Sequence, residues 1–307
     1  MSLLVVGTVA FDQIETPFGK TEKILGGAAT YIGMAASLLD VESDIVSVIG
    51  GDFPKEYIDL MKSKKIGLQG VKVVEDGKTF FWSGRYHNDM NTRDTLVTEL
   101  NVLENFDPVV PENWKHPEVL MLGNLHPSVQ MAVVDQLEKR PKLVVLDTMN
   151  FWMDHTLNEL IQVLKKIDVL TINDAEARQL SGEYSLVKAA KKILKMGPST
   201  LIIKKGEHGA LLFKDDLVFY APALPLDDVF DPTGAGDTFA GGFAGFLTKT
   251  RNYSFENMKR AIIYGSALAS FTVEEFGTDR LANLDQDELN ERLEIFRSLT
   301  SFDIELD

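Results

Sequence analysis

The chain of 307 residues contains no cysteine. Disulfides and thiolate metal sites are therefore excluded, and a reducing compartment suits it. Basic residues are also scarce: 31 Lys and Arg stand against 46 Asp and Glu, a formal net charge of −15. A field of that sign repels phosphate backbones, so nucleic acid is not expected as a partner. Long apolar runs are missing too. The first residues offer only the short run Leu3 to Val6, with no basic residue before it. Nothing approaches the roughly 18 apolar residues of a membrane span. The expectation is a cytoplasmic protein with no signal peptide and no membrane partner. Core material, by contrast, is plentiful. At 45% hydrophobic and 25% charged residues, the composition fits a globular domain rather than a disordered chain.

Apolar runs of strand length at 3–6, 44–49, 118–122, 142–146, 168–172 and 200–204 alternate with segments of helical period at 28–39, 54–64, 128–139, 157–166 and 186–196. Strands that are nearly all apolar need cover on both faces. The alternation therefore predicts an α/β fold, a central mostly parallel sheet flanked by helices. Residues 71–103 break the pattern: they lack a helical period, and Asp76-Gly77 reads as a tight turn between strand-like flanks. Together with residues 10–18 they are expected to form a small β-sheet lid on a single domain spanning 1–307. The outer face of such a lid offers a route to a homodimer. Helices are expected again at 237–248, 255–275 and 285–299, and the acidic residues 303–307 read as a solvated tail.

The densest chemical signal is Asp231-Pro232-Thr233-Gly234-Ala235-Gly236-Asp237, placed just before a helical segment. Pro232, Gly234 and Gly236 oppose regular structure, and glycines allow successive N–H groups to converge on one point. The free N–H groups and positive dipole end of the following helix add to that field. The result is an anion cradle that needs no Lys or Arg, a fitting device for an acidic chain that handles phosphate. Asp237 has two readings, an ordinary helix cap or a base that takes a proton from an attacking hydroxyl, and spacing alone does not separate them.

The run Asp-Pro-Thr-Gly-Ala-Gly-Asp-Thr-Phe-Ala-Gly-Gly, from Asp231 to Gly242, closely resembles the second signature of the PfkB or ribokinase family of carbohydrate and nucleoside kinases. The resemblance implies a ribokinase-like fold with a β-sheet lid over the substrate. It implies that Asp237 is the base and that the Gly234, Ala235 and Gly236 amides form the anion hole. Nearer the N-terminus, Gly7 to Asp12 and then Gly26-Gly27 stand in the family's order. By resemblance, Asp12 binds substrate hydroxyls and the glycine pair lets substrate approach the backbone. Gly50-Gly51-Asp52-Phe53 is similar to the family's segment after the next core strand.

Asn173-Asp174-Ala175-Glu176 resembles the family's Asn-x-x-Glu motif. It implies that Glu176 organises Mg²⁺, typically through water, with Asn173 near the phosphates of ATP. The same residues read locally as a helix-capping pair. Lys205, Gly206 and Gly209 fit the turn that family members place against the nucleotide. The stretch 267–277 resembles the segment that covers adenine and, in many members, supplies carbonyls to a monovalent cation such as K⁺ beside Asp231 and Thr233. Two departures stand out. Family asparagines that hold sugar hydroxyls are replaced here by Ala10 and Tyr31, so plain ribose is not the expected substrate, and a nucleoside or cyclitol competes with a hexose. Asn124 is a further candidate for substrate contact.

Other signals point nowhere. The tripeptides at 19–21 and 77–79 lack the upstream glycine of a P-loop, since Ile14 and Lys72 stand there. The five histidines show no metal-ligand spacing. The expected activity is ATP-dependent phosphorylation of a small-molecule hydroxyl. The competing class is a binding or regulatory protein that keeps the fold without the chemistry.

Overall fold

The computed structural model describes residues 3–301; the acidic tail at 303–307 lies outside the described residues. The first strand, β1 (Leu3–Val6), shows how the core is organised, since none of its four side chains is more than 1% exposed. Leu3 and Val5 enter one apolar cluster while Leu4 and Val6 enter another on the opposite face. Alternate side chains of a strand point to opposite faces, so a strand apolar at every position is buried on both.

The chain continues through β2 (Ala10–Thr16), β3 (Gly19–Lys20), β4 (Ile24–Gly26), α1 (Ala28–Ser37), β5 (Ser43–Gly50), α2 (Lys55–Ser63), β6 (Ile66–Val74), β7 (Phe81–Tyr86), β8 (Arg93–Glu99) and β9 (Val119–Leu122). Next come α3 (Pro127–Gln136), β10 (Leu143–Asp147), α4 (Asn150–His155), α5 (Leu157–Leu164), β11 (Val169–Asn173), α6 (Asp174–Ser181), α7 (Leu186–Ile193) and β12 (Thr200–Lys204). The hairpin β13 (Ala210–Lys214) and β14 (Leu217–Ala221) precedes α8 (Ala235–Thr250), α9 (Phe255–Thr272), α10 (Asp279–Asn283) and α11 (Gln286–Thr300).

Nine strands form the large sheet in the order β14-β13-β12-β11-β10-β9-β1-β5-β6. The pairs from β6 to β12 are all parallel, and the β13–β14 hairpin adds an antiparallel edge. From β1 the chain builds outward through β5 and β6, then resumes at β9 on the other side. That reversal makes a topological switch point, and the crevice at the carboxyl ends of such strands is where open α/β sheets bind ligands.

The small sheet has the order β3-β2-β7-β8, with β4 also paired to β2. Residues 10–26 and 81–99 build it, whereas 71–74, expected there, belong to β6 at the edge of the large sheet. Asp76-Gly77 is a turn as expected, closed by the Gly77 N–H on Val74 O at 2.9 Å. It joins the two sheets instead of making a hairpin within one. Just beyond it, Asp52 Oδ1 accepts from Thr79 N (2.8 Å) and Thr79 Oγ1 (2.7 Å), and that hydroxyl accepts from Gly50 N (3.0 Å). The Gly50-Gly51-Asp52 segment thus staples the strand crossing from one sheet to the other.

Candidate active site

The segment Asp231–Gly236 stands where α1 and α8 converge. Small residues allow that convergence: a Cβ on Gly241 of α8 would lie 2.6 Å from Ile32 Cα of α1. At the head of α8, Gly234 has φ 75° and ψ −5°, a left-handed conformation that strains a side chain, and a Cβ there would run into the Tyr31 ring. Thr238 N donates to Gly234 O at 2.8 Å, and Ala235 N donates to Pro232 O at 3.3 Å. Among the described residues the Gly234 and Gly236 N–H groups have no backbone partner. Of the three amides expected in the anion hole, two are therefore available and Ala235 is partly spent inside the turn.

Asp231 is fully buried. Its Oδ1 accepts from Thr233 N (2.8 Å) and its Oδ2 from Gly277 N (2.9 Å), so the aspartate pins the turn to the 267–277 segment. Burial holds its pKa above the ordinary carboxylate range. Thr233 Oγ1 donates to the Tyr86 hydroxyl at 3.2 Å, which ties the turn to β7 of the small sheet.

Three consecutive parallel strands end beside this turn. Asp147 closes β10, Asn173 closes β11 and Lys204 closes β12. Lys204 pairs in register with Asn173, and its long side chain reaches back so that Nζ lies 3.0 Å from both Asp147 oxygens. The ammonium also sits against the turn, 3.1 Å from where a Cβ on Gly236 would be. The cradle expected to lack Lys and Arg therefore has a half-buried lysine at its wall. Asn173 and Glu176 form a reciprocal capping box at the start of α6: Glu176 N donates to Asn173 Oδ1 and Asn173 N donates to Glu176 Oε2, each at 2.8 Å. The local capping reading is the one observed, and the box holds a buried glutamate beside the end of β11.

The small sheet contributes from the other side. Asp12 of β2 is only 6% exposed, and a Cβ on Gly26 would overlap its carboxylate. Gly26 thus makes room for the aspartate side chain rather than for substrate alone. Gly27 caps α1 without a side-chain bond. The Tyr31 ring is buried, and its hydroxyl finds no hydrogen-bond partner among the described residues. Arg93, the first residue of β8, lies opposite Tyr86 in register, with its guanidinium 5.5 Å from the Trp82 ring centroid. At the tip of the β7–β8 hairpin, Asn91 Oδ1 lies 2.7 Å from where a Cβ on Gly206 would be. The hairpin therefore touches the turn after β12.

Charge is crowded here. Burial, then the charge of Asp147, pushes the Asp237 carboxyl up to about 7; Lys204 and Arg93 pull the other way. Burial pushes Glu176 up to about 7 against the pull of Lys204. Burial and the charge of Asp231 bring Asp12 to about 7. Burial works against the Lys204 cation, but Asp147, Glu176 and Asp237 outweigh it and raise its pKa. Burial, then Asp12, raises the Tyr31 phenol. An excess of buried carboxylate over ammonium is a site that suits a cation. Among the described residues no three His, Cys, Asp or Glu converge closely enough to hold a metal unaided. Mg²⁺ would need from this chain only one or two carboxylates, with water and phosphate oxygens completing its shell.

Other expected residues are placed less directly. Asn124 follows β9, but its amide is occupied: Oδ1 accepts from Trp152 Nε1 (2.8 Å) and Nδ2 approaches Met149 Sδ (3.0 Å). It braces α4 with one donor and one acceptor, which leaves its second N–H and second lone pair without a partner among the described residues. Lys205, Gly206 and Gly209 form the turn after β12, closed by Lys205 N on Gly209 O at 2.8 Å. A Cβ on Gly209 would overlap the Ala221 carbonyl, so packing against β14 requires that glycine. Sequence reasoning missed Asp147, Lys204, Tyr86 and Arg93. The first two had a usable signal, a charged residue ending an apolar strand; the last two had none.

A family model, the pfkB family carbohydrate kinases, matches residues 2–284. The chain belongs to the pfkB family. Among curated relatives, the cytidine kinase of Thermococcus kodakarensis is 29% identical over 257 residues, covering 82% of this chain and 90% of that one. The ribokinase of Staphylococcus aureus is 31% identical over 289 residues, covering 88% and 86%. Among solved structures, the aminoimidazole riboside kinase of Salmonella enterica, complexed with aminoimidazole riboside and an ATP analogue, superposes with a TM-score of 0.75. It covers 95% of this chain and 100% of that one at 21% identity, a likeness of fold. The ribokinase-like architecture of this pfkB member, a large mostly parallel sheet with a small second sheet, is the one expected. No helix among its described residues is long and apolar enough to cross a membrane.

Proposed function

We propose that the chain is an ATP-dependent kinase that phosphorylates a hydroxyl of a sugar or sugar-like small molecule, with Asp237 as general base. One observation carries this reading: a carboxylate with a pKa near 7 stands at a helix start beside two main-chain N–H groups that have no partner among the described residues. A base whose pKa lies near working pH combines the right protonation state with a useful driving force. The acceptor oxygen attacks the γ-phosphorus and its proton passes to Asp237. The bond from phosphorus to the β–γ bridging oxygen breaks, and its electron pair leaves on ADP. The Gly234 and Gly236 N–H groups and the positive end of α8 stabilise the charge on the transferring group. When bound, Mg²⁺ supplies charge neutralisation on the phosphate oxygens; Glu176 is the residue that would hold it, through water. Asp12 orients the acceptor, and Asn173 and the 205–209 turn line the nucleotide side. The small sheet acts as a lid that excludes water as a competing acceptor.

A nucleoside fits the acceptor end better than a free sugar. Tyr31 stands where the family resemblance implies an asparagine, and its buried ring together with Tyr86 makes that end aromatic. The similarity to a cytidine kinase points the same way. The test is a panel of nucleosides, sugars and cyclitols read by ADP release with Mg²⁺ present. ADP release dependent on one class of acceptor, lost in Asp237→Asn, is expected. Silence across the panel, or near-normal turnover in that variant, would overturn the reading.

A further inference from the structure

We infer that Lys204, aimed by Asp147, is a cationic contact for the transferring γ-phosphoryl group. This rests on the kinase reading and adds to it a residue that neither the turn motif nor the Asn-x-x-Glu motif contains. The ammonium is at the right place: it ends β12, lies against Gly236 at the wall of the anion cradle, and is only 17% exposed. It is also incompletely used. An ammonium has three donors, and among the described residues Asp147 is its one hydrogen-bond partner.

A structural explanation for the pair is weak on energetic grounds. Burying two opposite charges costs desolvation that their attraction barely repays, and apolar side chains at such positions serve stability as well or better. The Asp147–Lys204 pair lies at the carboxyl ends of the strands, facing the crevice, where an apolar pair would have served the core. A phosphate arriving at Gly234–Gly236 would otherwise meet Asp147, Glu176 and Asp237 with no fixed positive charge. Lys204 supplies that charge from the rigid sheet, before the lid closes. Asp147 is the positioning residue: its two oxygens, equidistant from Nζ, fix the ammonium without touching the phosphoryl group. Lys204 keeps its proton throughout, so the bond changes of the transfer are those already given.

The experiment compares ATP and ADP binding by calorimetry, with Mg²⁺, for the wild type, Lys204→Met and Asp147→Asn/Lys204→Met. The double variant removes both buried charges and so spares Asp147 from being left alone. Losing a charge-assisted contact to the γ-phosphoryl group should weaken ATP binding about tenfold or more while ADP changes less than about threefold. If the double variant melts near the wild type and loses both nucleotides equally, or neither, Lys204 is structural and the inference fails while the kinase reading stands. A wild type that binds neither nucleotide overturns both. The unaltered chain gives an independent check: trace amine labelling of Lys204 should be suppressed further by ATP than by ADP, and equal suppression overturns the contact.

Discussion

In the large sheet, Leu3 to Val6 and Val119 to Leu122 are at most 1% exposed, whereas β8 of the small sheet is exposed along its whole length. Both sheets nevertheless send charged side chains to one crevice. Asp147, Lys204 and Glu176 come from strand ends and a helix start locked by two apolar cores. Arg93 comes from an edge strand that little else holds. The contrast teaches a division of labour. Groups on the large sheet are arranged before any ligand arrives, which is where electrostatic stabilisation is most effective. Groups on the small sheet reach the same cluster from a less buried element, and in the proposed reading that sheet is the part that recognises the acceptor and excludes water.

The largest expected effect is on the fixed side of this comparison. Asp237→Asn should lower kcat by about 10²-fold or more, measured with the best acceptor at saturation, while nucleotide affinity is kept. Near-normal turnover would place the base elsewhere. The same variant tests linkage. Asp12, Glu176 and Asp237 are raised to about 7, so between their unfolded values and pH 7 the native state holds protons that the unfolded chain has lost. Stability without ligand should therefore fall as pH rises through that window. Asp237→Asn, with no charge to bury, should melt higher than wild type at pH 8, with the difference shrinking as pH falls and vanishing near the ordinary carboxylate value of 3.8.

Next in size is the pH dependence of turnover. With the base near 7, kcat/KM should drop about tenfold per unit below pH 7 and flatten above it. Because Asp237 interacts with Asp147 and Glu176, the midpoint belongs to the group rather than to one residue. A profile flat from pH 5 to 8 would contradict the raised carboxylate.

On the covering side, Arg93→Ala should cost about tenfold in kcat/KM with no change in melting temperature, since exposed substitutions rarely alter stability. An unchanged kcat/KM would leave the small sheet as a passive cover. The smallest effect is expected for Tyr31→Phe. Removing a buried hydroxyl without a partner should stabilise the unliganded protein by about 1 kcal/mol, read by denaturant unfolding. If the hydroxyl meets the acceptor, KM for the acceptor should rise while KM for ATP stays put.

Much of this protein is written locally. Strands β1, β5, β9, β10, β11 and β12 were legible because burial on both faces leaves an unbroken apolar run, and the Asp231–Gly242 motif was legible because a turn into a helix is encoded in consecutive residues. The antiparallel hairpin at 210–221 was not. Its outer strand exposes Leu217, Val218 and Tyr220, so no alternation marks it. Nor was the true border of the small sheet, since 71–74 have strand propensity in either sheet and only pairing with β5 decides between them.

By itself, then, the sequence determined the layered α/β class, the helix starting near Asp237 and the capping pair Asn173–Glu176, all products of short-range sterics and hydrogen bonding. The tertiary structure alone decided which charges meet. Asp147 and Lys204 are 57 positions apart, Arg93 reaches the cluster from another sheet, and Asn124 accepts from Trp152, 28 positions away. A carboxylate's pKa depends on burial and on neighbours brought close by packing, and neither is a property of any short stretch of chain.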